Sequence, residues 1–257
     1  TSLFEAAVVQ WHWLEEGHAE LDQYNSIHEA LIETWRNWRR DGRMSRVHFA
    51  CFPEDDDDLL TTAYLMDTAL QAGLDGVMLE VPEIGWDGRN FVDLEGRRID
   101  ALFKLYPWDW MAADPFFAHI AASGVRMVEP AWRVIASSKA LLAVLWERFP
   151  DHPNLLAASM RHSLIERPRV LKPILGREGA NVVIETAAGP VTRAEGPYAE
   201  MAAIAQTLAP LPEYGGWHPV VGVWMVGGVP HGAGVREDRS AITGRGARFV
   251  PHVIAGG

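Results

Sequence analysis

The chain has 257 residues, 48% of them hydrophobic, and a formal net charge of −11 at pH 7. This length allows one large or two modest domains with a sizeable core. The acidic balance argues against general nucleic-acid binding, which needs clustered Lys and Arg. The single cysteine, Cys51, excludes an intrachain disulfide and argues against a cysteine-based zinc site.

The sequence also bears on membrane association and compartment. No apolar run approaches the ~18 residues that cross a bilayer, and the N-terminus lacks the basic and apolar segments of a signal peptide. We therefore predict a cytoplasmic protein without a membrane partner. Because the chain opens at Thr1, without methionine, on a predicted helix, the sequence also suggests a processed or truncated chain.

Predicted helices and strands alternate in the first half. Helical spacing of apolar residues predicts a helix over residues 3–21, and a second helix runs from about Ile27 to Arg40 with Ser26 as its N-cap. RVHFACF predicts a strand, PEDDDDLL leads into a helix that ends at Gly73, and GVMLEV predicts another strand. Strand, helix and strand with short links indicate a parallel sheet, so we predict an α/β domain over residues 1–125.

The second half of the sequence is predicted to form mostly antiparallel strands. It follows a hairpin around Glu95-Gly96, a helix in DPFFAHIAASG and an amphipathic helix from Ser138 to Phe149. RVLKPIL, ANVVIET and GPVTRAEG predict a meander, and AEMAAIAQTLAPLP is compatible with helix or strand. HPVVGVWMVGGVPHGAGVRE predicts a strand pair turned at Gly227-Gly228. We assign residues 126–257 to a second domain.

Common motifs for nucleotide, metal and nucleophile sites are absent from the sequence. No string matches the phosphate-binding loop G-x-x-x-x-G-K-[ST], and GAGVRE lacks the third glycine of a dinucleotide fingerprint. His28-Glu29 is followed by Ile32 where a zinc protease has its second histidine. The scattered histidines predict no metal site within the chain.

Lys172 lies within the apolar strand VLKPIL, four residues before the glycine turn GREGAN. An ammonium group is expensive to desolvate without a partner, and a phosphate would supply one. The exposed backbone N–H groups of the turn, together with Arg177, would complement the same anion. The alternative is a hairpin whose lysine extends to solvent.

Two further cations are compatible with an anion site. Lys139 follows Ser137 and Ser138 in the predicted first turn of a helix, where free N–H groups favour anions. Arg236 ends an apolar strand, and its guanidinium can clamp an anion. The alternatives are an isolated surface lysine and, for Arg236, a surface ion-pair cluster.

Four strings together carry a more specific signal than any one residue: FKLYPWDWM, EPAWRVIASSKALLAVLWERFP, LKPILGREGANVVI and VVGVWMVGGVPHGAGVREDRSAITGRGARFVPHVI. In this order they resemble the glutathionylspermidine synthase family over nearly the whole chain, and more closely its stand-alone bacterial ligase-like members. The resemblance implies an ATP-grasp fold preceded by an α/β pre-ATP-grasp-like domain. It also implies ATP-dependent joining of a carboxylate to an amine through an acyl phosphate.

The resemblance also implies roles for individual residues. Lys139 and Lys172 would hold the phosphates of ATP, and Arg236 would stabilise the transferring phosphoryl group. The glycine turn, namely Gly176, Arg177, Glu178 and Gly179, would close over the triphosphate. Gln206 would lie in the linker that reads the adenine. Asp57, Asp58 and Asp238 would contact the substrate.

The sequence departs from the family in three places. The E-x-N-x-D string that supplies Mg²⁺ ligands is not found, so we expect those ligands upstream of Thr1. The linker reads Ala205-Gln206-Thr207, and Arg133 replaces a threonine, which puts glutathione as the acid in doubt. We therefore predict a ligase for a peptide acid and a polyamine or amino acid. The alternatives are a non-catalytic nucleotide-binding or scaffold module and a structural domain without a ligand.

Overall fold

A computed structural model describes residues 2–254, with only the backbone described at residues 190 and 191. The chain forms two compact units. The first comprises Thr1–Ala131, Gly222–Gly234 and Pro251–Gly257, and the second comprises Trp132–Val221 and Val235–Val250. Each unit has hydrophobic clusters of its own. The domain division between residues 125 and 126 stays a prediction.

The first unit contains most of the helices. After a π-helical segment, Glu5–Val9, its helices are α1 (Gln10–Gly17), α2 (Ile27–Arg40), α3 (Asp56–Gln71), α4 (Trp108–Met111) and α5 (Ile120–Ser123). Short 3-10 turns span Val81–Glu83 and Pro115–His119. Its strands are β1 (Arg46–Cys51), β2 (Asp75–Glu80), β3 (Gly85–Trp86), β4 (Phe91–Val92), β5 (Ala101–Lys104) and β6 (Arg126–Val128).

The first unit is built on a parallel sheet in the order β2-β1-β5-β6. Strand β1 is buried from Val47 to Cys51, and Phe49 within it is fully buried against Trp35 of α2. The predicted α/β architecture is confirmed. Cys51 is buried, as predicted.

Helix α3 begins as the aspartate run predicts. The Asp55 side chain accepts hydrogen bonds from the backbone nitrogens of Asp57 at 3.1 Å and Asp58 at 3.3 Å, which satisfies N–H groups of the first turn. The helix is followed by Gly73, whose φ of +82° suits glycine.

Two predictions near the N-terminus need correction. The helix predicted over residues 3–21 ends at Gly17, and the chain continues as loop. Helix α2 has the predicted bounds, but Ser26 provides no side-chain cap, since its hydroxyl lies 3.0 Å from Nδ1 of His231.

The second unit contains α6 (Arg133–Ser137), α7 (Ala140–Arg148) and a 3-10 turn, His162–Leu164. Its strands β7 (Ala158–Ser159), β8 (Arg169–Pro173), β9 (Val183–Thr186), β10 (Gly189–Arg193) and β11 (Ala203–Thr207) form a sheet in the order β10-β9-β8-β11-β7. The measured pairs are antiparallel, which confirms the meander.

A third sheet has the order β12-β13-β14, with β12 (His218–Val226), β13 (Val229–Asp238) and β14 (Arg248–Val250). Its first two strands turn at Gly227-Gly228, as predicted. The ambiguous segment AEMAAIAQTLAPLP contains strand β11, and the helix predicted from Ser138 begins at Ala140. Within residues 2–254, no helix is both long and apolar enough to cross a membrane.

Candidate functional site

Lys172 and Gln206 meet at the centre of the second unit's sheet. Strands β8 and β11 are neighbours, and the Nζ atom of Lys172 donates to Oε1 of Gln206 at 2.8 Å. Gln206 is buried, with 6% of its surface exposed. The ammonium therefore has a fixed direction, contrary to the alternative in which Lys172 extends to solvent. Gln206 lies within a strand, whereas the resemblance implied a linker.

Lys139 immediately precedes α7. Its Nζ atom donates to the carbonyl oxygen of Gly176, in the glycine turn, and its backbone N–H donates to the carbonyl of Ile174 at 2.7 Å. We predicted that Lys139 occupies the first turn of the helix, with free N–H groups facing an anion. Lys139 instead precedes the helix, and its own backbone N–H is already bonded to Ile174. Its side chain nevertheless reaches the turn that follows Lys172.

Burial and neighbouring positive charges lower the pKa values of the two lysines near this turn. Burial lowers the pKa of Lys172, and the charge of Lys139 lowers it further. Burial likewise lowers the pKa of Lys139, and the charge of Arg177 adds to that effect. Both ammonium groups donate to neutral oxygens. The arrangement suits an anion, which would favour the charged form of both lysines.

The glycine turn is packed against a second loop of the same unit. Gly176 is buried, and Glu178 and Gly179 have φ angles of +51° and +71°. A Cβ atom on Gly179 would lie 2.6 Å from the carbonyl oxygen of Thr243, so only glycine fits this approach. The glycine turn, which the resemblance implied would close over the triphosphate, is anchored at Gly179 against this loop.

Arg236 and Asp238 occupy the end of β13. The Nη2 atom of Arg236 donates to the carbonyl of Ala247 at 2.8 Å. Both carboxylate oxygens of Asp238 accept backbone hydrogen bonds at 3.0 Å, one from Ser240 and one from Gly244. These bonds hold the pKa of Asp238 below its usual range, despite the opposing effect of burial. Asp238 thereby shapes the loop that contacts the glycine turn.

The structure brings part of the predicted set of site residues together. Hydrogen bonds and charge effects join Lys139, Lys172, Gly176, Arg177 and Gln206 into one group, which we call the cationic cluster. Gly179 contacts the loop that Asp238 shapes. The role of Arg236, which lies in the sheet of β12 to β14, stays a prediction.

Asp57 and Asp58 lie in the first unit, in the first turn of α3. This turn follows the carboxyl end of β1, the edge at which α/β sheets commonly bind ligands. Asp57 is exposed and Asp58 is half-buried. Their contact with a substrate stays a prediction.

Sequence reasoning missed Lys104, at the end of β5. Its Nζ atom donates to the carbonyl of Tyr106 at 2.6 Å and lies 4.0 Å from the ring centroid of Trp108. Burial lowers the pKa of Lys104 to about 8, although the charges of Glu129 and Asp109 raise it in part. The signal was available, because Lys104 also interrupts an apolar strand.

A small cavity also lies at the carboxyl edge of the parallel sheet. It has a volume of about 70 Å³ and a mainly apolar lining, with Tyr106 and Asp114 among its lining residues. The lining comes from separate segments, so no local motif could have indicated it. Within residues 2–254, no group of three or more His, Cys, Asp or Glu side chains is placed to hold a metal ion.

The model of a known protein family, described as "Glutathionylspermidine synthase preATP-grasp", matches residues 1–255. The chain belongs to the glutathionylspermidine synthase family. The resemblance inferred from the sequence is thereby confirmed, and the mixed α/β fold agrees with a pre-ATP-grasp domain.

Relatives of this glutathionylspermidine synthase family chain have names that describe ligases. A Haemophilus influenzae protein named "Putative acid--amine ligase" is 41% identical over 268 residues, covering 98% of this chain and 68% of that protein. Trypanothione synthetase of Crithidia fasciculata is 30% identical, covering 97% of this chain and 42% of its own length. The bifunctional glutathionylspermidine synthetase/amidase of Escherichia coli is 27% identical, with coverage of 97% and 45%.

Proposed function

We propose that the chain is part of an ATP-dependent ligase that joins a carboxylic acid to an amine. The observation that carries this proposal is the cationic cluster, in which burial and a neighbouring cation lower the pKa of both lysines, and both ammonium groups donate to neutral oxygens. The names of the relatives support amide formation as the reaction class. ATP would supply the anion and the driving force.

In this proposal the cationic cluster binds the phosphates of ATP. Lys139 and Lys172 would neutralise the triphosphate, and backbone N–H groups of the glycine turn would donate to it. Gln206 would orient Lys172 through their 2.8 Å hydrogen bond. Mg²⁺ would share the phosphate charge, with ligands expected upstream of Thr1. Arg236 would stabilise the phosphoryl group in transfer.

The proposed reaction has two steps. A carboxylate oxygen of the acid attacks the γ-phosphorus of ATP, the bond to the β–γ bridging oxygen breaks, and ADP leaves. The amine nitrogen then attacks the acyl carbon, a C–N bond forms, and phosphate leaves as the nitrogen loses a proton. We propose a peptide as the acid and a polyamine or an amino acid as the amine.

Nucleotide binding tests the first part of the proposal. We expect the Lys139→Gln and Lys172→Gln variants of this chain to bind ATP about tenfold more weakly, because each loses a charged contact to phosphate. Adenosine should bind both variants as it binds the parent, since it has no phosphate. Isothermal titration calorimetry measures both ligands, and equal ATP affinity in all three proteins would contradict the assignment.

Turnover tests the second part. In the protein that contains this chain, Lys172→Ala or Arg236→Ala should raise the activation barrier for ADP release by about 2–4 kcal/mol, roughly 30- to 1,000-fold in rate. ADP release is measured with a peptide acid and an amine present. Unchanged release in both variants would end the assignment. ATP binding without any ADP release in the parent would favour the non-catalytic nucleotide-binding alternative.

A further inference from the structure

The amino edge of the parallel sheet carries a groove that the proposed ligase reaction does not use. The first residues of all four parallel strands line it, namely Arg46, Asp75, Ala101 and Arg126. The groove has a volume of about 710 Å³. It is therefore large enough for a small-molecule ligand.

Five arginines line this arginine groove: Arg39, Arg43, Arg46, Arg98 and Arg126. Arg46 pairs with Asp75, Arg98 pairs with Asp100 at 2.9 Å, and Arg43 pairs with Asp41 at 3.6 Å. The side chains of Arg39 and Arg126 make no hydrogen bond or ion pair with any residue among those described. Two guanidinium groups are thus available in a chain whose overall charge is −11.

Arginine also fills the adjoining depression, where Arg36 and Arg40 join Arg39. Glu33 lies 4.0 Å from Arg36 and is the nearest carboxylate to it among the measured ion pairs of the described residues. Seven guanidinium groups therefore face four carboxylates, an excess of three positive charges. The C-termini of α2 and α3 compensate about one charge, since each helix end carries about −0.5. A local excess of about two positive charges remains.

Gly73 leaves space for the guanidinium group of Arg39, and Gly124 lies in ordinary contact range of that of Arg98. Gly73, with a φ of +82°, has Nη1 of Arg39 2.8 Å from the position that its Cβ would take. Gly124, with a φ of +68°, has Nη2 of Arg98 4.0 Å from the corresponding position. Both glycines follow helices, so the turns that end α3 and α5 also form part of the floor on which the arginines lie.

We propose that the arginine groove binds a compact polyanion with two or more phosphate groups, such as an organic diphosphate. Guanidinium forks match phosphate oxygens in pairs. Each phosphate carries about −1.5 to −2 charges, so one phosphate already matches the local excess of about two positive charges. The guanidinium groups of Arg39 and Arg126, which have no carboxylate partner among the described residues, could each bind one phosphate of a diphosphate. A long polyanion is disfavoured, because the negative charge of the remaining surface repels it.

A site-resolved measurement on the unmodified chain tests the proposal. Phenylglyoxal modifies exposed arginines, and mass spectrometry of peptides gives the rate at each one. Inorganic pyrophosphate should slow modification of Arg39 and Arg126 severalfold at concentrations that leave Arg89 and Arg148, both exposed, unchanged. Pyrophosphate should protect more strongly than the same concentration of phosphate. Equal rates with and without pyrophosphate at Arg39 and Arg126 would overturn the proposal.

Two double variants that remove the same charge provide a second test, in which pyrophosphate binding is measured. The Arg39→Gln/Arg126→Gln double variant should lose the pyrophosphate-binding event at the groove, detected by calorimetry as one binding site fewer. The Arg89→Gln/Arg148→Gln double variant removes the same charge and should keep it. Binding at the cationic cluster is identified separately, because Lys139→Gln should weaken it in either background and leave binding at the arginine groove unchanged. If both double variants lose pyrophosphate binding equally, the binding reflects general electrostatic attraction and not a site in the arginine groove, and the proposal is overturned.

Discussion

At the scale of single residues, two lysines with the same sequence signal have different surroundings. Lys172 and Lys104 each interrupt an apolar strand, and burial lowers the pKa of both. The second influence on Lys172 is the positive charge of Lys139, whereas Lys104 is near the carboxylates of Glu129 and Asp109. The position of Lys172 therefore favours binding of an external anion, whereas the charge of Lys104 is already compensated by nearby carboxylates of the same unit.

The electrostatic coupling between Lys139 and Lys172 can be measured directly. We expect Lys139→Gln to raise the pKa of Lys172, because a like charge that opposes protonation is removed. The chain has only three lysines, at positions 104, 139 and 172, so NMR titration with labelled lysine side chains resolves each one. Lys104 should titrate at the same pH in both proteins. An unchanged or lowered pKa at Lys172 would show that the two ammonium groups are not coupled.

At the scale of elements, the turn between β8 and β9 is positioned by a contact distant in sequence. Gly179 packs against the backbone of Thr243, in a loop whose conformation the Asp238 carboxylate maintains. The sequence GREGAN indicated a turn with glycine, but no local pattern indicated the surface against which it packs. The contact restricts the turn to one conformation close to the lysines.

The Gly179→Ala substitution measures that contact. We expect a loss of about 3 kcal/mol of unfolding free energy, of which about 1–2 kcal/mol comes from the left-handed backbone and the remainder from the clash with Thr243. Gly215→Ala is a matched control, since Gly215 has a φ of +57° with nothing within 4 Å of its Cβ position. The control should lose only the backbone component. Equal losses in urea denaturation of the two variants would argue against the close approach.

At the scale of the whole molecule, stability in acid depends on carboxylates that are buried and paired. The carboxylate of Asp93 is 1% exposed and accepts hydrogen bonds from Nε of Arg97 at 2.8 Å and from two backbone N–H groups. Burial alone would raise the pKa of Asp93, but these bonds and the contact with His48 hold it well below its usual range. Its stabilising effect is therefore present above the unfolded pKa, near 4, and is lost as the pH falls through the folded value.

Asp93→Asn should weaken this dependence on pH. We expect a loss of about 3 kcal/mol at pH 7, because Arg97 and His48 lose an anionic partner. The loss should become smaller below pH 4, where the unfolded parent takes up a proton at Asp93 while the folded parent stays ionised. Urea unfolding between pH 3 and 7 measures this convergence. Glu95→Gln, which removes an exposed carboxylate, is the control and should shift stability little at any pH. A constant difference across this pH range would count against the assignment.

Much of the fold was predictable because its signals are local. The apolar periodicity predicted α2 with its observed bounds, the aspartate run predicted the start of α3, and the paired glycines predicted the turn between β12 and β13. The segment that contains Gln206 was ambiguous, because short apolar runs suit either helix or strand. Its hydrogen bonds with β8 and β7, from residues distant in sequence, made it a strand.

The sequence by itself determined the family, the mixed α/β class and the residue types needed to bind an anion, because four ordered strings and local periodicity carry that information. Only the tertiary structure decided which cations meet, at which position only glycine fits, and that arginines from helix α2, two strands and the intervening loops line one groove. The physical reason is that electrostatic and packing energies depend on distance in space. Residues far apart in the chain acquire such distances only when the sheets assemble.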